Sequence, residues 1–354
     1  MQLPYADLAT SRIHRVDLRF RPSRCPAPAC PSHTSVPFEY QRKGCFDRKV
    51  DLRIVQRFRC KVCRKGFSSQ TFRVDYRLHK PWLPLAVFQA LVSKTTLRQT
   101  ARNLGSKLDT IAHHLRLIAA HSIEIHQRFL ERHARSGGWN VGAFQLDELE
   151  TFERDRRLFP ITVPVLIHRD TRYVVHADTG TLPARGRLSV VDKCRKNAYE
   201  ALFGKRLNQS KAAVTRCFSV LSRCLAPSAS IHVQTDEKSA YPVILRQVFG
   251  AGYQHQWVNS RAKRNRGNLL FPINNVSAQA RDNLSRLVRR NWGHSKMESR
   301  LKLHLAVWML YRNYVRERSH FHRNVSSAQS AGVVRRRMTA RELLQWRRIL
   351  PPAC

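Results

Sequence analysis

Acidic residues are scarce in this chain: 24 Asp and Glu stand against 64 Lys and Arg in 354 residues, a formal charge of +40. No single polybasic run holds most of that excess. Spread basicity of this size points to a polyanion partner, of which nucleic acid is the commonest. Long apolar runs are lacking too. No stretch approaches the ~18 to 20 apolar residues of a membrane span, and the opening MQLPYADLATSRIHRVDLRF has no apolar signal-peptide core. The expected location is the cytoplasm, or the nucleus of a cell that has one, with no membrane partner. With 42% hydrophobic residues, the chain has enough apolar surface for real cores in two or three domains.

In a reducing compartment nine cysteines are thiols or metal ligands rather than disulfides. Four of them are arranged. Cys25 and Cys30 lie in CPAPAC, and Cys60 and Cys63 in CKVC. Two short pairs flanking a small hairpin can set four thiolates at the corners of a tetrahedron, the geometry Zn²⁺ prefers. Lys65-Gly66 after the second pair is read as the tight turn that aims backbone amides at sulfur. A zinc ribbon over residues 1–80 is the expectation, with Cys45, Cys194, Cys217, Cys224 and Cys354 as ordinary thiols.

Beyond Pro81 and Pro84 the texture becomes helical. TTLRQTARNLGSKLDTIAHHLRLI places Leu97, Ala101 and Leu104 on one face, breaks at Gly105, and then lines up Leu108, Ile111, Ala112, Leu115 and Ile118. Two short amphipathic helices joined at a glycine predict a helix-turn-helix DNA-binding region over 81–136. Ser106, Lys107, Thr110, His113 and Arg116 are its candidate DNA contacts.

From residue 137 the pattern turns β-like. AFQLDELETF, PITVPVLIH and TRYVVHADT read as strands, SKAAVTRCFSVLSRCL as a helix, and SIHVQTDEKSAYP as a strand running into a helix. The expectation is an α/β domain with a mixed sheet, over 137–317, followed by a basic tail, 318–354. Asp147 and Asp236 interrupt strand patterns in a strongly cationic chain. Placed on adjacent strands, two such carboxylates chelate Mg²⁺ or Mn²⁺ for phosphodiester chemistry.

FQLDELETF resembles the first catalytic motif of bacterial insertion-sequence transposases of the DDE type, VQTDEKSAYP resembles their second, and RLVRRNWGHSK resembles the basic helix that follows the third acid. With ribbon and helix-turn-helix in front, the layout is similar to the insertion-sequence-one-like families. The resemblance implies a ribonuclease-H-like catalytic domain, Asp147 and Asp236 as magnesium ligands, a structural zinc, and cleavage and joining of double-stranded DNA at element ends and target. It also implies a homo-oligomer on DNA at the nucleoid.

The family's third acid, counted back from RLVRR, falls on Asn274, a neutral oxygen donor. Arg281, about two helical turns on, is expected to share its face and meet a phosphate, and Arg289, Arg290 and Lys296 of the basic helix are further candidate DNA contacts. Asp282 and Glu298 compete for the acidic role. Asp282 has an ion-pair reading with Arg286, and Glu298 a capping-box reading with Ser295. Glu148 and Glu150 are held in reserve, Glu148 facing the opposite side of its strand from Asp147. Asn274 keeps alive a decayed or domesticated transposase that only binds DNA, and the same fold would also suit a nuclease that cuts without joining. A short amphipathic helix in the tail is expected to dock on the catalytic domain or DNA.

Overall fold

The computed structural model describes residues 20–34, 37–51, 53–259, 262–263, 265–288 and 292–349. They fall into two compact units, residues 20–88 with 340–349, and residues 89–339.

The smaller unit is an antiparallel sheet of β1 (Tyr40–Arg48), β2 (Arg53–Cys60) and β3 (Gly66–Ser68) in that order. In β2, RIVQRFRC, the side chains of Val55, Phe58 and Cys60 are buried. Phe58 stacks on Phe67 at 5.5 Å and Phe72 meets Phe67 edge-on at 6.0 Å, beside Cys25, Cys30 and Cys60. Asp75 is buried and accepts from Arg48, Arg53, Arg73 and Gln70 at 2.8 to 3.0 Å. Burial works to raise its pKa, but Arg73, Arg53 and Arg48 outweigh it and hold the carboxyl well below its usual range. The tail helix Ala340–Gln345 belongs to this unit rather than to the larger one. The residues after it bind here: Arg348 N–H donates to Phe72 O at 2.8 Å, and the Arg347 guanidinium lies 4.2 Å over the Phe20 ring. The division between the units falls inside α1 (Leu83–Leu91).

In the larger unit the elements run α2 (Leu97–Asn103), α3 (Leu108–Arg135), β4 (Trp139–Phe152), β5 (Pro160–His168), β6 (Tyr173–Ala177), β7 (Gly180–Thr181), α4 (Val190–Phe203), α5 (Ser210–Ser222), β8 (Leu225–Asp236), α6 (Ala240–Phe249), β9 (Tyr253–Val258), α7 (Phe271–Asn283), α8 (Glu298–Leu310), and a hairpin of β10 (Glu317–Ser319) and β11 (His322–Ser326). The main sheet has the order β6-β5-β4-β8-β9, with the short β7 also paired to β5. β4, β5 and β6 are antiparallel, whereas β4, β8 and β9 are parallel. This mixed sheet flanked by helices is compatible with a ribonuclease-H-like fold.

β5 is buried along its whole length, so its two faces tell where the helices lie. Ile161, Val163, Val165 and Ile167 pack with Ile273, Val276 and Ala280 of α7 and Leu301, Leu305 and Trp308 of α8. Each such Val, Leu or Ile side chain contributes about 1.5–3 kcal/mol by leaving water. On the other face the Cys217 thiol of α5 points at Pro164 O. Residues of β4 with odd numbers therefore look toward α7, and even ones toward α5 and α6.

Three expectations around the third motif need correction. LFPINN, which by its sequence has the shape of a strand end before a basic helix, is already helical: α7 begins at Phe271, with Pro272 in the first turn where a missing N–H costs nothing. RLVRRNWGHSK is not a helix among the described residues: a 3₁₀ turn covers Ser285–Leu287, residues 292–294 form turns and a bend, and Arg289 and Arg290 lie outside the described residues. The Ser295 capping box does not form. α8 starts at Glu298, and its first amide donates instead to the Glu153 carboxylate at the end of β4.

Candidate active site and metal centres

Asp147, within β4, and Asp236, the last residue of β8, meet just beyond the point where the parallel pairing of the two strands ends. The last recorded pair between β4 and β8 is Gln145 with Gln234, so each aspartate lies two residues further along its own strand. Equal spacing from a paired rung puts both on one level and one face. They line a cleft of about 670 Å³ with Asn274, Ser277, Ala278 and Arg281 from α7, Lys238 and Tyr241 from the α6 side, and Arg185.

Asp236 is partly buried, and its Oδ1 has no hydrogen-bond partner among the described residues. Burial first, then the charges of Asp147 and Glu148, push its carboxyl above the usual range. Ser277 Oγ, buried in the same wall, is also without a partner. An oxygen-lined pocket with an unsatisfied carboxylate oxygen and mutual carboxylate repulsion suits a hard divalent cation such as Mg²⁺ or Mn²⁺.

Glu148 takes a different part. Its side chain leaves β4 toward α5 and α6, where Lys238, Tyr241, Thr162 and Ser210 all donate to it. Burial works to raise its pKa, but Lys238 and the hydroxyl donors lower it further. Spent on four donors, it anchors the walls rather than offering a free oxygen. Glu150 is exposed and paired with Arg185.

Of the three competitors for the third position, the structure brings only Asn274 to the cleft. It lies in the first turns of α7, and Ser277 and Arg281 follow on the same face. Asp282 is exposed and reaches Lys94 at 3.9 Å, not Arg286. Glu298 accepts from Thr179 Oγ1 outside the cleft. Lys296, also outside it, contacts His294 at 2.8 Å.

Two features escaped the sequence reading. Glu237, exposed and next to Asp236, lines the cleft. Gln145, fully buried, donates to Gln234 Oε1 at 2.9 Å and Leu269 O at 2.7 Å and accepts from Ile273 N at 3.0 Å. It thus ties the start of α7, one residue before Asn274, to the aspartate-bearing strand. The available signal was its place two residues before Asp147 on the same face.

In the helical region Thr96 and Gln99 form a capping box for α2, and Gly105 adopts φ +53, a left-handed turn that suits glycine. The second helix is not short: α3 runs 28 residues and packs along α8. Ile111, Leu115 and Ile118 are buried as expected, whereas Leu108 is exposed. Ser106, Lys107, Thr110, His113 and Arg116 are grouped at its amino-terminal turns, Lys107 and Arg116 exposed and the others half-buried.

Cys25, Cys30, Cys60 and Cys63 converge, with all four sulfurs within 4.8 Å of one another. Cys25 and Cys63 are 3.5 Å apart and Cys30 and Cys60 3.8 Å. A tetrahedral ion with Zn–S bonds of about 2.3 Å requires sulfurs about 3.8 Å apart, so the set fits zinc. Ser32 beside Cys30 draws that thiol down to about 6, while burial raises Cys25. The knuckle turn is made differently from expectation: Arg64, at φ 61, takes the left-handed position, and Gly66 begins β3.

No family model and no curated protein matches the sequence. Among solved structures, the chain is similar to one in a simian T-cell lymphotropic virus intasome in complex with PP2A regulatory subunit B56 gamma, at 11% identity and TM-score 0.24 over 54% of this chain and 55% of that one. It therefore spans about half of that chain's length. A second likeness is to a pre-cleavage Mos1 transpososome, at 11% identity and TM-score 0.18 over 64% of this chain and 76% of that one. Likenesses this slight add no weight to the geometry. No helix among the described residues is long and apolar enough to cross a membrane.

Proposed function

We propose that the protein is a DNA transposase, binding element ends and carrying out divalent-metal-dependent strand cleavage and strand transfer, as a homo-oligomer on double-stranded DNA. The observation that carries this reading is the Asp147–Asp236 pair, level on adjacent parallel strands, with Asp236 Oδ1 unpartnered among the described residues in a cleft that Arg185, Lys238 and Arg281 also line. Asp147 and Asp236 would hold Mg²⁺ or Mn²⁺, with the Asn274 carbonyl as a neutral third donor. When bound, such an ion stabilises charge on the phosphodiester and acidifies the attacking hydroxyl.

The chain's own groups supply position. Arg281 and Arg185 face the cleft and bind phosphate; Gln145 fixes the approach of α7; Glu148 keeps Lys238 and Tyr241 in place. Hydrolysis at the element end and attack by the freed 3′-hydroxyl are both in-line displacements, so one cleft serves both. Zinc on Cys25, Cys30, Cys60 and Cys63 shapes the ribbon, and Ser106, Lys107, Thr110, His113 and Arg116 contact DNA.

Asn274 favours a second reading, a catalytically decayed relative that only binds DNA. Incubation of labelled element-end DNA with the protein and Mg²⁺ or Mn²⁺, against Asp147→Asn and Asp236→Asn, decides between them. Nicked and joined products that vanish in both variants are expected. Cleavage without joining indicates a nuclease of the same fold, and no cleavage in either metal leaves the DNA-binding reading.

A further inference from the structure

Helix α7 has a second occupied side. Asn274, Ser277, Ala278 and Arg281 face the carboxylate cleft, whereas Phe271, Asn275 and Gln279 face a separate groove of about 1100 Å³, closed by the β10–β11 hairpin and the residues after α8. Five arginines line it, Arg172, Arg266, Arg316, Arg318 and Arg337, against one acid, Glu317, which is already paired with Arg337 at 2.7 Å.

Behind the groove sits Arg312, fully buried, bonded through Nη1 to Ser327 Oγ at 2.6 Å, its Nε and Nη2 without hydrogen-bond partners among the described residues. Burial, then the charges of Arg316 and Arg172, push it down to about 9, and burial together with Arg318 lowers Arg172 as well. A buried guanidinium that meets further arginines instead of a carboxylate is a charge arrangement left open for an anion. At the hairpin tip Phe321 is 81% exposed, its ring 3.7 Å from that of His320.

We propose that this groove binds the sugar-phosphate backbone of a single-stranded or frayed nucleic-acid segment, with Phe321 stacking on an unpaired base. Several arginines along a concave track match successive phosphates, and a lone exposed ring offers a π-face that a paired, stacked base does not need. A lipid surface would call for a broad apolar face, and Phe321 stands alone. The groove opens on a different side of α7 from the aspartates, so it holds nucleic acid away from the point of cleavage. The inference goes beyond the proposed reaction and does not require it.

The test is binding of the full chain, without added magnesium, to labelled duplex and to the same duplex with a short unpaired tail, over a range of salt. Tailed DNA is expected to bind more tightly, and Phe321→Ala to erase about tenfold of that preference. Arg172→Ala with Arg318→Ala is expected to flatten the salt slope by about two, and the Arg→Lys pair to restore it. Unchanged slope and tail preference in folded variants would overturn the proposal, as would loss of binding to anionic vesicles alone. Because no cleavage is read, an inactive cleft and a non-binding groove give different results.

Discussion

Asp147 and Asp236 stand level with each other, each two residues beyond the hydrogen-bonded side chains of Gln145 and Gln234. The strand register thus forces two like charges together where the pairing of β4 with β8 ends. Asp236 has its pKa raised, chiefly by burial and then by Asp147. A carboxyl whose folded pKa lies above its unfolded value lends stability only at low pH and loses it as pH rises through the folded value. At pH 7, without metal, the Asp236 carboxylate is therefore a burden on the fold. Asp236→Asn is expected to raise the unfolding midpoint in metal-free buffer and to abolish the further rise that Mn²⁺ gives the native protein. A Mn²⁺ shift that survives the substitution would remove Asp236 from the metal site.

Gln145 is expected to matter more than its distance from the chemistry suggests. Gln145→Ala leaves Leu269 O and Ile273 N without their buried partner, at about 1–3 kcal/mol each. Denaturant unfolding should report that loss. Since α7 is then free to shift, cleavage should fall while affinity for DNA holds. Equal losses of cleavage and binding would reduce Gln145 to a purely structural role.

These two residues also mark what the sequence could reveal. The place of the aspartates on sheet strands was legible because two carboxylates inside strand patterns stand out in a chain this basic, and the alternation of β4 put Glu148 on the other face. Gln145 was not, since a strand glutamine gives no hint that it will meet a helix more than a hundred residues away. The strands at 160–168 and 230–236 were legible from β-branched runs. β9, YQHQWV, was not, being polar and half-exposed. The start of α7 was hidden by Pro272, which also suits an extended chain, and the length of α3 by its polar seam of histidines, His114, His121 and His126, which is nevertheless buried.

The ribbon is expected to carry about one zinc per chain. Cys60 is buried and 3.8 Å from Cys30, so Cys60→Ser removes a ligand that no described neighbour replaces. Metal analysis should show the loss of zinc, and thermal unfolding a lower midpoint, because ligand binding energy is folding energy in so small a core. Cys45→Ser, at an exposed thiol outside the cluster, should leave both unchanged. Full zinc retention in Cys60→Ser would dismantle the four-cysteine site.

Acid sensitivity should begin well above the range where carboxylates titrate. Burial depresses His126 to about 4 and His304 to about 3, whereas an unfolded histidine titrates near 6.5. Both are neutral in the fold, and protonating His126 puts a second donor between Tyr314 OH and Val175 O. Their stability contribution is whole above pH ~6.5 and is lost as pH falls toward 4, at about 1.4 kcal/mol per pH unit for each ring. Denaturant unfolding between pH 7 and 5 measures that slope. His126→Gln should flatten it by one ring's share; a slope that is unchanged would place the acid sensitivity elsewhere.

Asn274 is where the proposed chemistry is most exposed. As a neutral donor it leaves Asp147 and Asp236 to balance the cation's charge, and α7 has no acid in its first turn. Asn274→Glu adds a third carboxylate near a helix amino terminus, where the macrodipole favours it. Two opposite effects should follow from one added charge. Without metal the variant should be less stable than the native protein, as repulsion with Asp236 grows; with metal it should bind Mg²⁺ about tenfold more tightly, an order-of-magnitude expectation for one added ligand charge. Asn274→Ala, lacking the oxygen, should weaken Mn²⁺-induced stabilisation and strand transfer together. If Asn274→Ala matches the native protein in both, the side chain is no ligand; if only Asn274→Glu cuts DNA, the native chain is the DNA-binding relative and its cleft lacks a single carboxylate.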